Sequence, residues 1–476
     1  MATRSAARRW ARETFGGPSL GDTRRTARLV RMAGLAAERP SGTVPAVFDD
    51  DADQQGAYDF LENDQVSADA IEEGHGAAVS ACCSENREVL LVVDGSSLTF
   101  VDRARKRELG SVGTYTAGAR GLKVVTAYVL DRTGVPIGPL CQTYWRRPAS
   151  KPTNRRRAAQ RPVVRKETQR WLDTVETSAT RLGMHAPGTR ATFLIDREGD
   201  SAAMLCKLAR TSHDFVVRGH CNRGVVDPEG RTRNLRHVLT YAKVLGTYEL
   251  AVEGRPKRTA RTARMQVASV QVTVPLRDPV TKKVVELRLW AIRAMEVGTC
   301  PSGEERIEWT LLTNKVAGSL KQASDRLREY ALRWRIEEFH RAWKSGGCNV
   351  EQSQLHGEGA LRKWAVILAA VATRVERLRR KARATPDALA TDEFSAMEAR
   401  AILLLRRATN RRRGNTATAR TLTLAGALLM VAELGGYTGK ASGGPPGAIT
   451  LGRGLFRLRD AVATLRALES EKCDEG

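Results

Sequence analysis

Cysteine is too sparse and too scattered in this chain to build structure. Eight cysteines are spread through 476 residues, only Cys82 and Cys83 are neighbours, and no CxxC pair occurs. A disulfide framework and structural zinc are therefore not expected, whereas reduced thiols in a cytoplasm are. Long apolar runs are missing too. WAVILAAVA (364–372) and TLAGALLMVAEL (423–434) fall short of the ~18 apolar residues that would cross a bilayer. The basic opening MATRSAARRWARE is followed by no apolar stretch, so no secretory leader and no membrane association are expected. No internal repeat is found.

Positive charge is present in excess. Lys+Arg 78 against Asp+Glu 53 gives +25, with a pI near 10.2. With 42% hydrophobic and 28% charged residues the chain is globular, and its length suits two to four domains. An excess of that size calls for a polyanionic partner, nucleic acid first. An arginine-rich proteome would produce the same number.

Along the chain the pattern changes several times. Residues 1–70 are helical and basic, with Arg24, Arg25 and Arg28 on GDTRRTARLV able to lie along phosphates or simply to face solvent. From 89, VLLVVD, GLKVVTAYVLD, VPIGPLCQTYW, ATFLID and DFVVRG read as strands, with helical segments between them. Strands mixed with helices make an α/β fold. Val270, Val272, Val274 and Leu276, then Val285, Leu287 and Leu289, alternate with polar residues, so 222–310 is expected to be an antiparallel β insertion. From 317 the chain turns helical, interrupted by the loop GGYTGKASGGPPG. Basic runs at 146–166, 255–264 and 406–413 are solvated loops or, together, a phosphate track.

Two apolar strands, VLLVVD and ATFLID, both end in a carboxylate, Asp94 and Asp196. Neighbouring strands of an open α/β sheet would bring the two acids to one edge, where such sheets place their sites. Close carboxylates repel unless a cation lies between them, and hard oxygen ligands select magnesium or manganese. Taken singly, each Asp is equally a turn residue or a helix cap. The stretch REYALRWRIEEFHRAWK (328–344) supplies a third acid. At 100° per residue Tyr330, Arg333, Glu337 and Lys344 share one stripe, while Leu332, Ile336, Phe339 and Trp343 form the core face. Glu338 falls away from both, and His340 reads as a packing residue. Arg, Lys and Tyr around one acid suit a phosphodiester, although a plain i,i+4 Arg–Glu pair has the same spacing.

Tyr330-x2-Arg333-x3-Glu337-x6-Lys344 matches the Y(2)R(3)E(6)K signature, and the chain resembles the insertion-sequence-four family of bacterial cut-and-paste transposases. LLVVDGSSL, LIDREGD, GDTRRTARLV, AYDFLEN, FVVRG and EWTLLTN extend the resemblance from about residue 10 to at least 345. It implies an RNase-H-like catalytic core with an antiparallel β insertion, flanked by N-terminal and C-terminal helical domains. Those boundaries would be 1–70 for the DNA-binding domain, 71–221 and 307–380 for the core, 222–306 for the insertion and 381–476 for a dimerisation region. The implied catalytic and metal-binding triad is Asp94, Asp196 and Glu337, holding two magnesium ions that manganese may replace.

DNA contacts implied by the same resemblance are Tyr330, Arg333, Lys344 and Arg218, with Trp309 receiving a base flipped out during hairpin formation. The partner would be double-stranded DNA, both transposon ends and target, bound by a homodimer in a synaptic complex at the bacterial nucleoid. Two departures stand out: the 146–166 run is more basic than in relatives, and Gly95 follows Asp94 where some relatives carry Thr. Two alternatives remain open. One is a DNA-binding regulator of transposition without catalysis, and the other an RNase-H-like nuclease without strand transfer.

Overall fold

The computed structural model describes residues 5–474 except 103–106, 115–117, 149–165, 253, 255–257, 410–417, 419–420 and 440–443. Nearly all of the 146–166 basic run, part of the 255–264 and 406–413 runs, and part of the GGYTGKASGGPPG loop therefore lie outside the described residues.

The N-terminal helices are α1 (Ala6–Phe15), α2 (Thr23–Glu38), α3 (Val44–Val47), α4 (Asp51–Glu62) and α5 (Ala68–Cys83). Four of the five begin at a residue whose short polar side chain suits a helix start. Ser5, Asp22, Asp50 and Ser67 each accept a hydrogen bond from a first-turn amide. Phe15, Leu29, Met32, Phe48 and Leu61 are fully buried between them.

A single sheet follows the N-terminal helices. Its strands are β1 (Glu88–Phe100), β2 (Gly110–Ser111), β3 (Arg120–Leu130), β4 (Pro136–Trp145), β5 (Arg190–Ile195) and β6 (Asp214–Arg218). The chain continues through β7 (Gly224–Val226), β8 (Thr232–Asn234), β9 (Val244–Val252), β10 (Arg261–Arg277), β11 (Val284–Val297) and β12 (Glu308–Thr313). The order is β2-β3-β1-β5-β6-β12-β11-β10-β7-β8, with β4 paired to β3 and β9 to β10. β1, β5 and β6 run parallel, and the other pairs are antiparallel. The long alternating strands β10 and β11 are thus joined through β12 to β6 and continue the same sheet.

Helices α6 (Thr168–His185), α7 (Ala202–Ala209) and α8 (Leu235–Tyr241) contribute to the core on one face. Toward the other lie α9 (Leu320–Ala331), α10 (Arg335–Lys344) and α11 (Glu358–Ala384), followed by α12 (Ala396–Thr409), α13 (Leu424–Leu434) and α14 (Ala448–Asp474). The middle of α11 is apolar on all sides and buried along its length. It touches the N-terminal helices, where Trp364 packs on Phe48 and donates its indole N–H to the carbonyl of Gly42 (2.7 Å).

The structure corrects two expectations. Asp94 does not end its strand: β1 runs on to Phe100 because GSSLTF keeps its ladder with β3, from Asp94↔Thr126 to Phe100↔Arg120. What stops near Asp94 is the neighbour, β5, whose last partner pair is Val93↔Ile195. The signature helix is not continuous either. A 3-10 turn, Leu332–Trp334, separates α9 from α10. Three residues advancing about 120° instead of about 100° swing Tyr330 ~60° from its projected place. Its side chain is buried at 4% exposure.

A buried ion pair clamps β10 to β11. Glu296, 1% exposed, accepts from Arg261 Nε (2.8 Å) and Nη2 (2.9 Å) and from the Ile307 amide (3.0 Å). The Arg261 hydrogen bonds, helped by that amide, hold its carboxyl down at about 2. A depressed folded-state value means that the stabilisation is present above the unfolded carboxyl range and fades as pH falls toward 2. Glu296→Gln is expected to cost roughly 1 kcal/mol near neutral pH, the deficit narrowing between about pH 5 and 2. Urea unfolding across that range checks this, and a pH-independent deficit would count against it.

Candidate active site

Alternation along the central strands places the acids. Leu90 and Val92 of β1, Leu194 of β5, Val216 of β6 and Leu311 of β12 belong to the core on the α10–α11 face. Val89, Leu91, Val93, Ile195 and Val217 belong to the opposite one. Side chains two apart share a face. Asp94 therefore follows Val92, Asp196 follows Leu194, and Arg218 follows Val216, all toward α10. The register Val93↔Ile195 sets Asp94 beside Asp196 on strands about 4.8 Å apart. β12 runs against β6 with Leu311 opposite Arg218, so Trp309 reaches the same end of the sheet.

The helix is seated by its apolar side. Ile336, Phe339 and Trp343 are buried, with Phe339 stacked on Tyr128 (4.5 Å between centroids) and on Trp343 (5.6 Å). Trp343 donates to the Ala365 carbonyl of α11 at 3.0 Å. That seating leaves Arg333, Glu337, His340 and Lys344 toward the acids. Arg333 Nη2 donates to Glu337 Oε1 at 3.0 Å, and its Nη1 lies 3.7 Å from Asp94 Oδ2. His340 Nδ1 is 4.0 Å from the same Asp94 oxygen. Lys344 stands 3.6 Å from Glu351, which also accepts the Thr99 amide of β1 at 2.9 Å. Glu338 points elsewhere, to Arg335 and Arg380.

Asp94 is pushed up to about 7, chiefly by burial. Arg333 opposes the shift, while the charges of Asp196 and Glu337 add to it. Asp94 thus lies within electrostatic reach of both other carboxylates. His340 is pulled down to about 3 by burial, with Lys344 and Arg333 assisting, which keeps it neutral beside Asp94. Its Nε2 has no hydrogen-bond partner, and neither has Arg333 Nη1.

Among the described residues no three His, Cys, Asp or Glu side chains close around a single point as they would to hold one ion. The guanidinium of Arg333 bridges Asp94 and Glu337 instead. The donor chemistry nevertheless fits divalent cations: three crowded carboxylates, one of them strained toward its neutral form, ask for positive charge between them.

Around this centre Tyr330 packs edge-on against Trp309 at 5.9 Å. Burial raises the Tyr330 phenol, Arg333 and Arg218 oppose, and Asp196 adds to the rise. Burial lowers the Arg218 guanidinium. Gly95 has a visible reason: a Cβ there would come within 2.9 Å of the Trp171 indole.

Two residues near the site carried no weight in the sequence. Trp334, 41% exposed on the 3-10 turn between Arg333 and Arg335, presents part of its indole on a charged face. Asp200, with a side chain 0% exposed, accepts the amides of His220 (2.6 Å) and Cys221 (2.7 Å) and pairs with Arg223. It lies four residues past Asp196 inside LIDREGD, which is the signal that was available.

The three N-terminal arginines differ in their engagement. Arg24, its side chain 90% exposed, pairs with Asp22 at 2.9 Å. Arg25 is used internally, donating to the carbonyls of Leu20 and Gln65, and Arg28 faces Asp53 at 3.5 Å.

Residues 7–66, the α1–α4 region that carries these arginines, match the family described as transposase DNA-binding. The match supports a transposase role for the chain, with DNA as its partner. Among the described residues no helix is long and apolar enough to cross a membrane.

Proposed function

We propose that the chain is a DDE transposase of the insertion-sequence-four type, catalysing cut-and-paste transposition through metal-dependent phosphodiester cleavage, a DNA hairpin and strand transfer. The observation that carries this is the position of Asp94 beside Asp196, one residue past the parallel pair Val93↔Ile195, with the charges of Asp196 and of Glu337 on α10 both raising the Asp94 carboxyl. The sheet order β4-β3-β1-β5-β6, antiparallel on one side of β1 and parallel on the other, supports an RNase-H-like core. In this reading residues 71–221 and 307–380 form that core, 222–306 the β insertion, 1–70 the DNA-binding domain and 381–476 the dimerisation region.

Asp94 with Asp196, and Asp94 with Glu337, would hold two magnesium ions, a pair of carboxylates for each. When bound, magnesium supplies Lewis-acid charge at the scissile phosphate and lowers the pKa of the attacking water. Arg333, whose Nη1 makes no hydrogen bond, grips a non-bridging phosphate oxygen and holds the phosphorus in line. Lys344 and Arg218 neutralise neighbouring phosphates, and His340, neutral and buried, keeps water from Asp94. Trp309, seated on Tyr330, presents an aromatic face to a base displaced by the sharp bend of a hairpin. Homodimerisation would bring two such ends into one synaptic complex.

Inverted repeats read from the genomic flanks provide the substrate. A labelled end incubated with magnesium should be nicked, converted to a hairpin and joined to target DNA. Nicking alone would favour the nuclease reading, and binding without cleavage the regulator. Trp309→Ala should slow hairpin formation about tenfold, the stacking of one base, with first-strand nicking nearly unchanged. Equal slowing of both steps in a time course would assign Trp309 to packing alone.

A further inference from the structure

Beyond the acids, a cavity of about 950 Å³ opens between the loop after β6, α8 and the segment Gly303–Thr310 leading into β12. Arg197, Arg218 and Trp309 form the wall toward the catalytic centre. Six arginines line it, against three glutamates. Two of the acids are already engaged: Glu304 by Arg261 at 2.6 Å and Glu308 by Arg293 at 2.7 Å. Arg218 and Arg306 donate to backbone carbonyls and not to a carboxylate, with Arg306 near enough to Glu296 to help hold that carboxyl down. Among the described residues no carboxylate lies within ion-pair distance of Arg197, Arg236 or Arg258. Arg197 adjoins Asp196, Arg236 lies on α8, and Arg258 lies just before β10. The lining of this cavity is far more cationic than its own acids require.

We propose that this cavity is a subsite for an unpaired DNA strand, whose backbone phosphates are held by Arg197, Arg236 and Arg258. The proposal rests on DNA as the substrate; Arg197, Arg236 and Arg258 have no part in the catalytic reading, whereas Trp309 and Arg218 at the inner wall are shared with it. Size selects the ligand. A drug-sized molecule fills about 300–1,000 Å³, so the cavity takes a few nucleotides of one strand and excludes a duplex turn. Its chemistry selects the same ligand: arginine forks suit phosphate oxygens, and the indole at the inner wall offers a stacking platform that any base can use. A strand threaded here would leave the catalytic edge of the sheet past Arg197 and run outward between α8 and the β12 approach.

The test compares a blunt duplex with the same duplex carrying a short single-stranded overhang, titrated against the full-length chain over a salt series. The wild type should bind the overhang probe more tightly. Arg236→Gln/Arg258→Gln should abolish that preference, lowering the slope of log affinity against log salt by about 0.7 per arginine on the overhang probe only. Blunt-duplex binding should persist, because α1–α4 supply it. No preference in the wild type, or equal slope losses on both probes, would overturn the subsite. If the double variant unfolds, Arg258→Gln alone, an exposed side chain with no carboxylate partner to lose, should halve the slope change. Failure here is separable from failure of the catalytic reading. Overhang preference without magnesium-dependent cleavage would sink the latter and leave the former standing.

Discussion

Asp94→Asn is expected to lose cleavage by on the order of a thousandfold or more while making the metal-free protein more stable. The two effects share a cause. The Asp94 carboxyl is raised to about 7 by burial and by the charges of Asp196 and Glu337. Raised above its unfolded value, it binds a proton in the folded state that the unfolded chain has already lost. Stability therefore falls as pH climbs from about 4 to about 7. Asparagine removes that fall, worth roughly 2 kcal/mol near neutral pH once screening is allowed for. Asp196→Ala and Glu337→Ala should likewise abolish cleavage with end binding retained, and chelation of divalent ions should reproduce the loss in the wild type. Cleavage assays alongside unfolding curves at pH 5 and 8 check both halves. An Asp94→Asn protein that is inactive but also less stable would mean that the carboxylate is structural, and retained cleavage would remove it from the site.

Asp200→Ala is expected to cost about 3–5 kcal/mol in unfolding free energy. Both carboxyl oxygens are buried and used: the His220 and Cys221 amides and the Arg223 guanidinium all lose their acceptor at once. Arg223 is itself largely buried, so the substitution leaves an uncompensated charge as well as two orphaned N–H groups. Asp200→Asn, which keeps one good acceptor oxygen, should cost about half as much. Because this acid ties the turn after Asp196 to the loop after Arg218, the folded fraction of the alanine variant should also nick DNA more slowly than the wild type. Urea titration with nicking measured per folded molecule separates the two effects. A cost below about 1 kcal/mol would mean that water reaches Arg223 and that the loop does not depend on Asp200.

Much of the candidate site's geometry was legible because it obeys local periodicities. Asp94 and Asp196 close apolar strand runs, and Glu337 shares a helix stripe with Arg333 while Glu338 does not; the ion pairs of the two glutamates follow that division. The extent of β1 was not legible. A charged residue after five apolar ones looks like an end, and only pairing with β3 shows that Ser96, Ser97 and Thr99 continue the ladder. The 3-10 turn at Leu332–Trp334 was hidden for a related reason, since LRW has no breaker residue. Asp200 did not stand out because its partners, Cys221 and Arg223, lie more than twenty residues away.

By itself, then, the sequence determined the charge, the alternation of helices with strands, and the helix stripe that Arg333 shares with Glu337 and not with Glu338. These follow from composition and from spacings of two to four residues, which covalent geometry turns directly into faces. The tertiary structure alone decided that β10 and β11 extend the central sheet, that Arg333 bridges two of the acids, and that six arginines enclose a cavity beside Trp309. Each of these joins groups dozens to hundreds of residues apart, and only the packing of α10 on β1 and β3, and of β12 between β6 and β11, brings them together.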